Sequence, residues 1–340
     1  MKRILYPALL LLLALGCQEA PHHVTTAFYH WKTRCAPSPY ERAYLDSLAV
    51  DRLYVRFFDV DWNAARGEAV PLASVRLDSA ALQGLEIVPT VYLTNRTLTH
   101  IAEEEVPTLA ERILSRIRGL AGTLPYAEVQ LDCDWSAHSR DRFFRLADAL
   151  RAALAEEGVS LSATIRLHQV RYFEQTGIPP VDRGMLMFYN MGEVRAPDTD
   201  NSILDLSTAA PYLDKARQYP LPLDLALPVF SWGVVLRDSL AVHLMSTLRL
   251  EQLNDPERFA PLDSQRVQVR HSTYLNGYYL YQGDIIRWES VRPDALDEAA
   301  HWLADNLPYD SLRVTFYHLD SALSRRFPAA RLQEMIEAFR

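Results

Sequence analysis

From residue 25 onward, short apolar runs alternate with longer stretches of helical periodicity. Strand-like runs fall at 25–31, 52–58, 86–93, 127–134, 159–167, 184–190, 223–231 and 312–319. Between them, residues 138–156 place Phe143, Phe144, Leu146, Leu150 and Leu154 at helical spacing, and 106–119 and 294–306 behave the same way. Repeated strand–helix units predict an α/β fold with a parallel sheet, and eight strands are what a closed (β/α)8 TIM barrel needs. An open doubly wound sheet is the alternative. The rhythm breaks at 266–289, which alternates with period two and carries Asn276-Gly277 where a type I′ turn belongs and Gln282-Gly283-Asp284 at a second turn. This predicts a small antiparallel β insertion between strands seven and eight, about 237–290, led in by a helix near 237–253. A brace for the barrel and a wall of a cleft both fit that pattern.

Strands alternate faces, so parity tells which polar residues point into the barrel. In the fourth run Val129, Leu131 and Cys133 share the helix-facing side, and Gln130, Asp132 and Asp134 the other. In the fifth, Ser162, Thr164, Arg166 and His168 face inward; in the second, Tyr54, Arg56 and Phe58 do. The interior is therefore expected to hold Arg56, Gln130, Asp132, Asp134, Arg166 and His168, charges that must pair or neutralise. A structural Arg–Asp network is one account. The other uses position: Asp132 and Asp134 end their strand, where active sites of these barrels sit, and two carboxylates in one small space raise one pKa toward acid/base use. Trp31, Trp62, Trp135 and Trp232 fall at or just past strands one, two, four and seven, so indoles are expected around the mouth, with capping of the core as the reading for one or two. Trp288 and Trp302 are expected to be structural.

Composition narrows the function classes. The 340 residues hold 35 Lys plus Arg against 43 Asp plus Glu, a net charge of −8, which argues against a nucleic-acid surface. The start, MKRILYPALLLLLALGC, has a basic end and an apolar run too short for a permanent span. Its closing Gly16-Cys17 resembles a bacterial lipobox, with Ala14 departing from the commoner Leu. The resemblance implies a signal peptide over 1–16, acylation (palmitate) of Cys17, a tether over 17–24 and the barrel over 25–340. An ordinary secretory signal is the alternative. A lipoprotein in a bacterial cell envelope, membrane-anchored at the outer membrane, is the expected address. Cys35 and Cys133 would permit one disulfide, but Cys133 on the helix-facing side favours none. Neither zinc-type spacing, nor a Gly-rich phosphate loop, nor G-x-S-x-G occurs. A D-x-D pair can hold a divalent cation, yet no ligand set is visible; no metal and no cofactor are expected.

The segment Val129-Gln-Leu-Asp-Cys-Asp-Trp-Ser136 resembles the fourth-strand motif of family-eighteen glycoside hydrolases, the chitinases and their relatives, which reads D-G-x-D-x-D-x-E. Met187-Phe-Tyr-Asn190 resembles their sixth-strand M-x-Y-D and Leu227-Pro-Val-Phe-Ser231 their seventh-strand segment. The chain also resembles uncharacterised bacterial lipoproteins with a related barrel. The resemblance implies substrate-assisted glycoside hydrolysis in which Asp132 and Asp134 orient and polarise the substrate's acetamido group and Tyr189 donates to it. Asn190 stands where the family has Asp, Val129 where it has the first Asp, and Ser136 where it has the general acid. A serine hydroxyl cannot protonate a glycosidic oxygen usefully near neutral pH. Two outcomes follow: another carboxylate supplies the acid (Glu193, Asp59, Asp61 and Asp320 are available), or the barrel is a non-catalytic glycan binder. The leading expectation is a lipid-anchored glycoside-hydrolase-like protein acting on an oligosaccharide, N-acetylated sugars included. Asp132, Asp134, Tyr189 and Asn190 are the expected catalytic positions. Trp31, Trp62, Trp135, Arg166, Trp232, Asp59, Asp61 and Glu193 are the expected sugar contacts.

Overall fold

The computed structural model describes residues 23–196, 199–246, 248–320 and 323–340. The signal, Cys17 and most of the tether lie outside them. Eight parallel strands close on themselves: β1 (His23–His30), β2 (Arg52–Asn63), β3 (Glu86–Leu93), β4 (Glu128–Asp132), β5 (Ser160–Arg166), β6 (Arg183–Met187), β7 (Leu223–Pro228) and β8 (Ser311–Tyr317). Each pairs in parallel with the next, and β8 returns to β1 with His23 opposite Ser311. The doubly wound alternative falls with that closure. β1 begins two residues inside the predicted tether, because His23 and Val24 already pair with β8.

The outer helices follow the apolar periodicity. Helix α1 (Pro39–Ser47) opens with a capping box: the Glu41 amide donates to Ser38 Oγ at 3.2 Å and the Ser38 amide to Glu41 Oε2 at 2.8 Å. Helix α2 (Val106–Ala121) buries Leu109, Ile113, Leu114 and Ile117; α3 (Arg140–Ala155) buries Phe143, Leu146, Leu150 and Leu154. Helix α4 (Pro293–Asn306) buries Leu296, Ala299 and Leu303, and α5 (Ala329–Glu337) closes the chain. Cys35 and Cys133 are both buried free thiols. No helix among the described residues is long and apolar enough to cross a membrane.

The interior is polar and paired in tiers. At the base, where the strands start, Arg313 reaches Glu128 at 3.0 Å and Asp224 at 3.4 Å, Arg183 reaches Asp224 at 3.0 Å, and Arg52 reaches Glu86 at 2.6 Å and Glu128 at 3.5 Å. Above them Tyr29 Oη donates to Gln130 Oε1 at 2.7 Å, Gln130 Nε2 to Ser162 Oγ at 3.3 Å, and Ser162 Oγ down to Glu128 Oε1 at 2.6 Å. A structural ion network thus does fill the barrel, but at the base and with residues other than the aspartates that end β4.

Two local expectations are corrected. A β-bulge shifts the β2–β3 register between Arg56 and Phe58, so Phe58 pairs in the helix-facing rank with Val91, and Asp59 in the inward rank with Tyr92. The simple alternation had put Phe58 inside. Second, no helix spans 237–253: Ser231–Arg237 and Leu240–Met245 form an antiparallel hairpin, and only a 3-10 turn, Leu250–Leu253, follows. The insertion therefore starts near 231, as a five-stranded antiparallel sheet with a separate hairpin, Thr273–Leu275 and Tyr278–Leu280, turning at Asn276 (φ 48°) and Gly277 (φ 86°).

One ion pair bolts this insertion to the loop after β6. Arg287 and Glu289 are fully buried; Arg287 Nε donates to Glu289 Oε1 at 2.7 Å, Nη1 to the Ala196 carbonyl at 2.7 Å and Nη2 to the Val194 carbonyl at 2.9 Å. Glu289 Oε2 accepts from the Ser202 amide (2.7 Å), the Ser202 hydroxyl (2.6 Å) and Trp232 Nε1 (3.1 Å). Glu289→Ala strands a buried guanidinium and is expected to cost about 3–5 kcal/mol by urea unfolding, part of which Arg287→Met restores in the double variant. A loss under about 1 kcal/mol, the scale of an exposed pair, would contradict this account.

Candidate functional site

Because β4 and β5 run in register, with Gln130 opposite Ser162, their C-terminal ends bring Asp132 beside Thr164 and Asp134 beside Arg166. Thr164 Oγ1 donates to Asp132 Oδ1 at 2.8 Å. Arg166 Nε and Nη2 donate to the two oxygens of Asp134 at 2.5 and 2.9 Å, a bidentate pair. The two carboxylates therefore have different surroundings. Asp134 lies just past the strand and is half exposed (side chain 50 %), whereas Asp132 is buried with an uncharged donor. Burial first, and the Asp134 charge second, push the Asp132 carboxyl up to about 6, against the pull of Thr164 and Arg166. Like-charge proximity contributes as the spacing predicts, but dehydration is the larger cause.

An aromatic floor surrounds this pair. The Tyr317 ring, half exposed at the end of β8, lies 5.6 Å from Tyr29, 5.7 Å from Trp31, 5.3 Å from Tyr189 and 5.6 Å from Phe230. Trp31, Tyr92 and Phe230 are also partly exposed. The Arg56 guanidinium sits 5.7 Å over the Trp31 ring and bonds Asp59, with Nε to Oδ1 at 2.6 Å. Tyr189 is buried at the end of β6, and its hydroxyl has no hydrogen-bond partner. Burial, the Tyr317 ring and the Asp132 charge hold that phenol well above its ordinary pKa, so it remains a proton donor.

The other predicted positions are scattered. Asn190 is exposed with φ 56°, its amide donating to the Ile203 carbonyl at 2.8 Å, so it shapes the turn out of β6. Trp62 is half exposed and stacks on His100 at 5.6 Å; Asp61 beside it is gripped by Arg96, whose bonds hold that carboxyl below the usual range. Glu193 is exposed and accepts from the Arg195 amide at 3.1 Å, fastening its own loop. His168 is exposed on the short helix Leu167–Arg171 beyond the strand and not inside the barrel. Two tryptophans are corrected outright. Trp135 is buried behind the strand, stacked on Phe143 at 4.9 Å with its N–H given to the Thr176 carbonyl at 3.0 Å. Trp232 is buried in the insertion sheet on Glu289. Neither is available to a sugar. Trp135 shares the parity of Cys133, so that signal was present; the indoles had been placed by loop position alone. Tyr92 and Tyr317 went unnoticed, although each has inward parity on its strand.

Ser136, whose place the resembled motif gives to an acid, belongs to the turn into α3. Its amide donates to Ser139 Oγ at 2.9 Å, its hydroxyl lies 3.3 Å from that oxygen, and its carbonyl accepts from the Arg140 amide at 2.9 Å. Among the described residues no group of three or more His, Cys, Asp or Glu side chains is placed to hold a metal ion. A cavity of about 390 Å³ lies at the opposite end of the barrel, lined by Arg183, Tyr219, Leu221, Leu307, Tyr309 and Ser311 among others. Its charged members are Arg183, engaged in the base network, and the exposed Asp310, whereas the mouth brings together a buried raised carboxyl, a bidentate Arg–Asp pair and partly exposed rings, which favours the mouth as the site.

No family model and no curated protein matches this sequence. Solved structures do match its fold. A chitinase from Chromobacterium violaceum superposes with TM-score 0.56 at 13 % identity, covering 93 % of this chain and 99 % of that one. The spore cortex-lytic enzyme SleL of Bacillus megaterium gives 0.56 at 12 % identity, covering 93 % and 74 %. A GH18 chitinase mutant from Cycas revoluta, solved with (GlcNAc)4, gives 0.53 at 13 %, covering 93 % and 99 %. The chain therefore has a chitinase-like (β/α)8 barrel, and at these identities the likeness is one of fold.

Since the folded-state pKa of Asp132 is raised, the folded protein holds a proton that the unfolded chain releases. Stability is then expected to fall as pH rises from about 4 to about 6, and to stay lower above that window. Asp132→Asn is expected to stabilise the fold at pH 7 by on the order of 2–3 kcal/mol, with the gain vanishing below about pH 4, as followed by urea unfolding across pH. A variant no more stable than the parent at pH 7 would contradict the raised value.

Proposed function

We propose that this barrel binds an oligosaccharide at its mouth and holds it without hydrolysing it. The observation that carries this reading is Ser136: the position at which the resembled motif keeps its acid holds a hydroxyl tied into a helix-initiating turn. Three neighbouring carboxylates are already engaged, Asp134 by Arg166, Asp59 by Arg56 and Asp61 by Arg96, and Glu193 accepts from an amide of its own loop. Recognition needs less. Half-exposed rings of Trp31, Tyr92 and Tyr317 offer flat apolar faces to sugar rings, and the Tyr189 hydroxyl and Asp132 offer a donor and an acceptor where water is scarce. That a structural neighbour was solved with (GlcNAc)4 makes N-acetylated oligomers the first ligands to try.

Hydrolysis is the second reading, and one observation favours it: a buried carboxyl at about pKa 6 is a usable general acid near neutral pH. In that case Asp132 would replace the missing glutamate. For the address, the basic start, the apolar run and Gly16-Cys17 support export and acylation of Cys17, which would hold the protein to an envelope membrane.

Calorimetry with (GlcNAc)4, alongside chromatography of the same mixture, separates the readings. Binding with no shortened product is expected, and Trp31→Ala should weaken binding about tenfold, the loss of roughly 1.4 kcal/mol of stacking and burial. Product formation that disappears in Asp132→Asn would replace this conclusion with the hydrolytic one.

A further inference from the structure

The chain enters the barrel at the end opposite its mouth. His23, the first residue of β1, pairs with Ser311, the first of β8, and its amide donates to the Asp310 carbonyl at 3.3 Å, so the chain enters the barrel at its base. From Cys17 to His23 there are six residue steps, which span at most about 22 Å when fully extended. β1 then runs eight residues toward the mouth, about 26 Å of strand and about 21 Å along the axis at the ~36° tilt of such barrels. β2 runs twelve, about 40 Å of strand and about 32 Å along the axis, and an exposed turn at 64–67 follows it on the mouth side. A tether of at most about 22 Å falls about 10 Å short of that turn, so it cannot bring that part of the rim to a surface that holds its far end.

The base around β1 also has the composition for such a contact. The chain segments entering β7 and β8 expose Pro220, Pro222 and Pro308 and half-expose Leu221 and Tyr309, and the 390 Å³ cavity opens between them. The exposed Asp310 sits among them, and the apolar side chains and amphipathic ring around it suit the interfacial zone of a bilayer, where such a carboxylate stays hydrated.

We infer that, with Cys17 acylated, the base formed by residues 219–222 and 307–311 rests on the lipid surface and the mouth opens away from it. This rests on the anchor reading given under Proposed function. Its consequence concerns the ligand: a mouth held roughly 20 Å or more above its own membrane faces free or wall-borne glycan chains, and the sugar headgroups of lipids in that membrane are out of reach.

Two single-cysteine variants test this in the acylated protein, because Cys35 and Cys133 are buried and will not take a label. Asp310→Cys marks the base and Ala65→Cys the tip of the rim, both at exposed positions. Each carries a fluorophore and is reconstituted in phosphatidylethanolamine–phosphatidylglycerol vesicles with a headgroup-attached quencher. Quenching several-fold stronger at 310 than at 65 is expected. Equal quenching at the two positions, or stronger quenching at 65, overturns the orientation. The mass of the N-terminal peptide reports separately on the anchor: an unmodified Cys17 overturns the anchor and the orientation together, whereas an acylated Cys17 with quenching at 65 overturns the orientation alone.

Discussion

A closed ring of eight strands gives every second side chain nowhere to go but a narrow interior shielded from water, and that constraint governs this molecule. Whatever polar residue the alternation sends inward must find a partner there, since an unpaired buried charge costs several kcal/mol. The base meets the demand with Arg52, Arg183 and Arg313 against Glu86, Glu128 and Asp224, and the middle with Tyr29, Gln130 and Ser162 handing hydrogen bonds down to Glu128. Toward the mouth the pairing thins. Among the described residues Asp132 takes a threonine donor and the Tyr189 hydroxyl has no partner, so polar capacity is left over where the barrel opens.

The same arithmetic explains why the rim can be rigid. Arg287 and Glu289 would be a liability if either stood alone in the apolar insertion. With two backbone carbonyls, a serine amide, a serine hydroxyl and an indole N–H around them, the pair is saturated and fixes the loop after β6 against the insertion sheet. Trp232 serves that joint and is withdrawn from the mouth. Aromatic presentation falls instead to Tyr92 and to Trp31, Tyr317 and Phe230, of which Tyr317 packs on Trp31 tilted, on Phe230 edge-on and on the buried Tyr189 stacked.

Much of the fold was legible because its signals are local and periodic. The eight apolar runs gave the strands, and Asn276-Gly277 gave a hairpin whose two positive φ angles only such residues adopt readily. Parity along β4 and β5 was legible too: Gln130, Asp132 and Asp134 on one strand and Ser162, Thr164 and Arg166 on the other were expected inward, and in the fold Thr164 meets Asp132 and Arg166 meets Asp134. The misreadings have equally physical causes. One extra residue in β2, a bulge invisible to alternation, moved Phe58 out and Asp59 in. Leu240–Met245 looked helical in length and apolar content, but pairing with Ser231–Arg237 decided for strand, as tertiary partners do with short ambiguous runs.

What the amino-acid order determined by itself is the periodicity: which residues are strand, which face each side chain takes along an unbroken strand, and a serine where the resembled motif carries its acid. What only the folded chain decided is who stands opposite whom. Arg166 on Asp134, the burial that lifts Asp132 and the Tyr189 phenol without a partner among the described residues all depend on shear and closure of the barrel. Those are relations between strands far apart in the chain, set by how the ring shuts, and no local pattern encodes them.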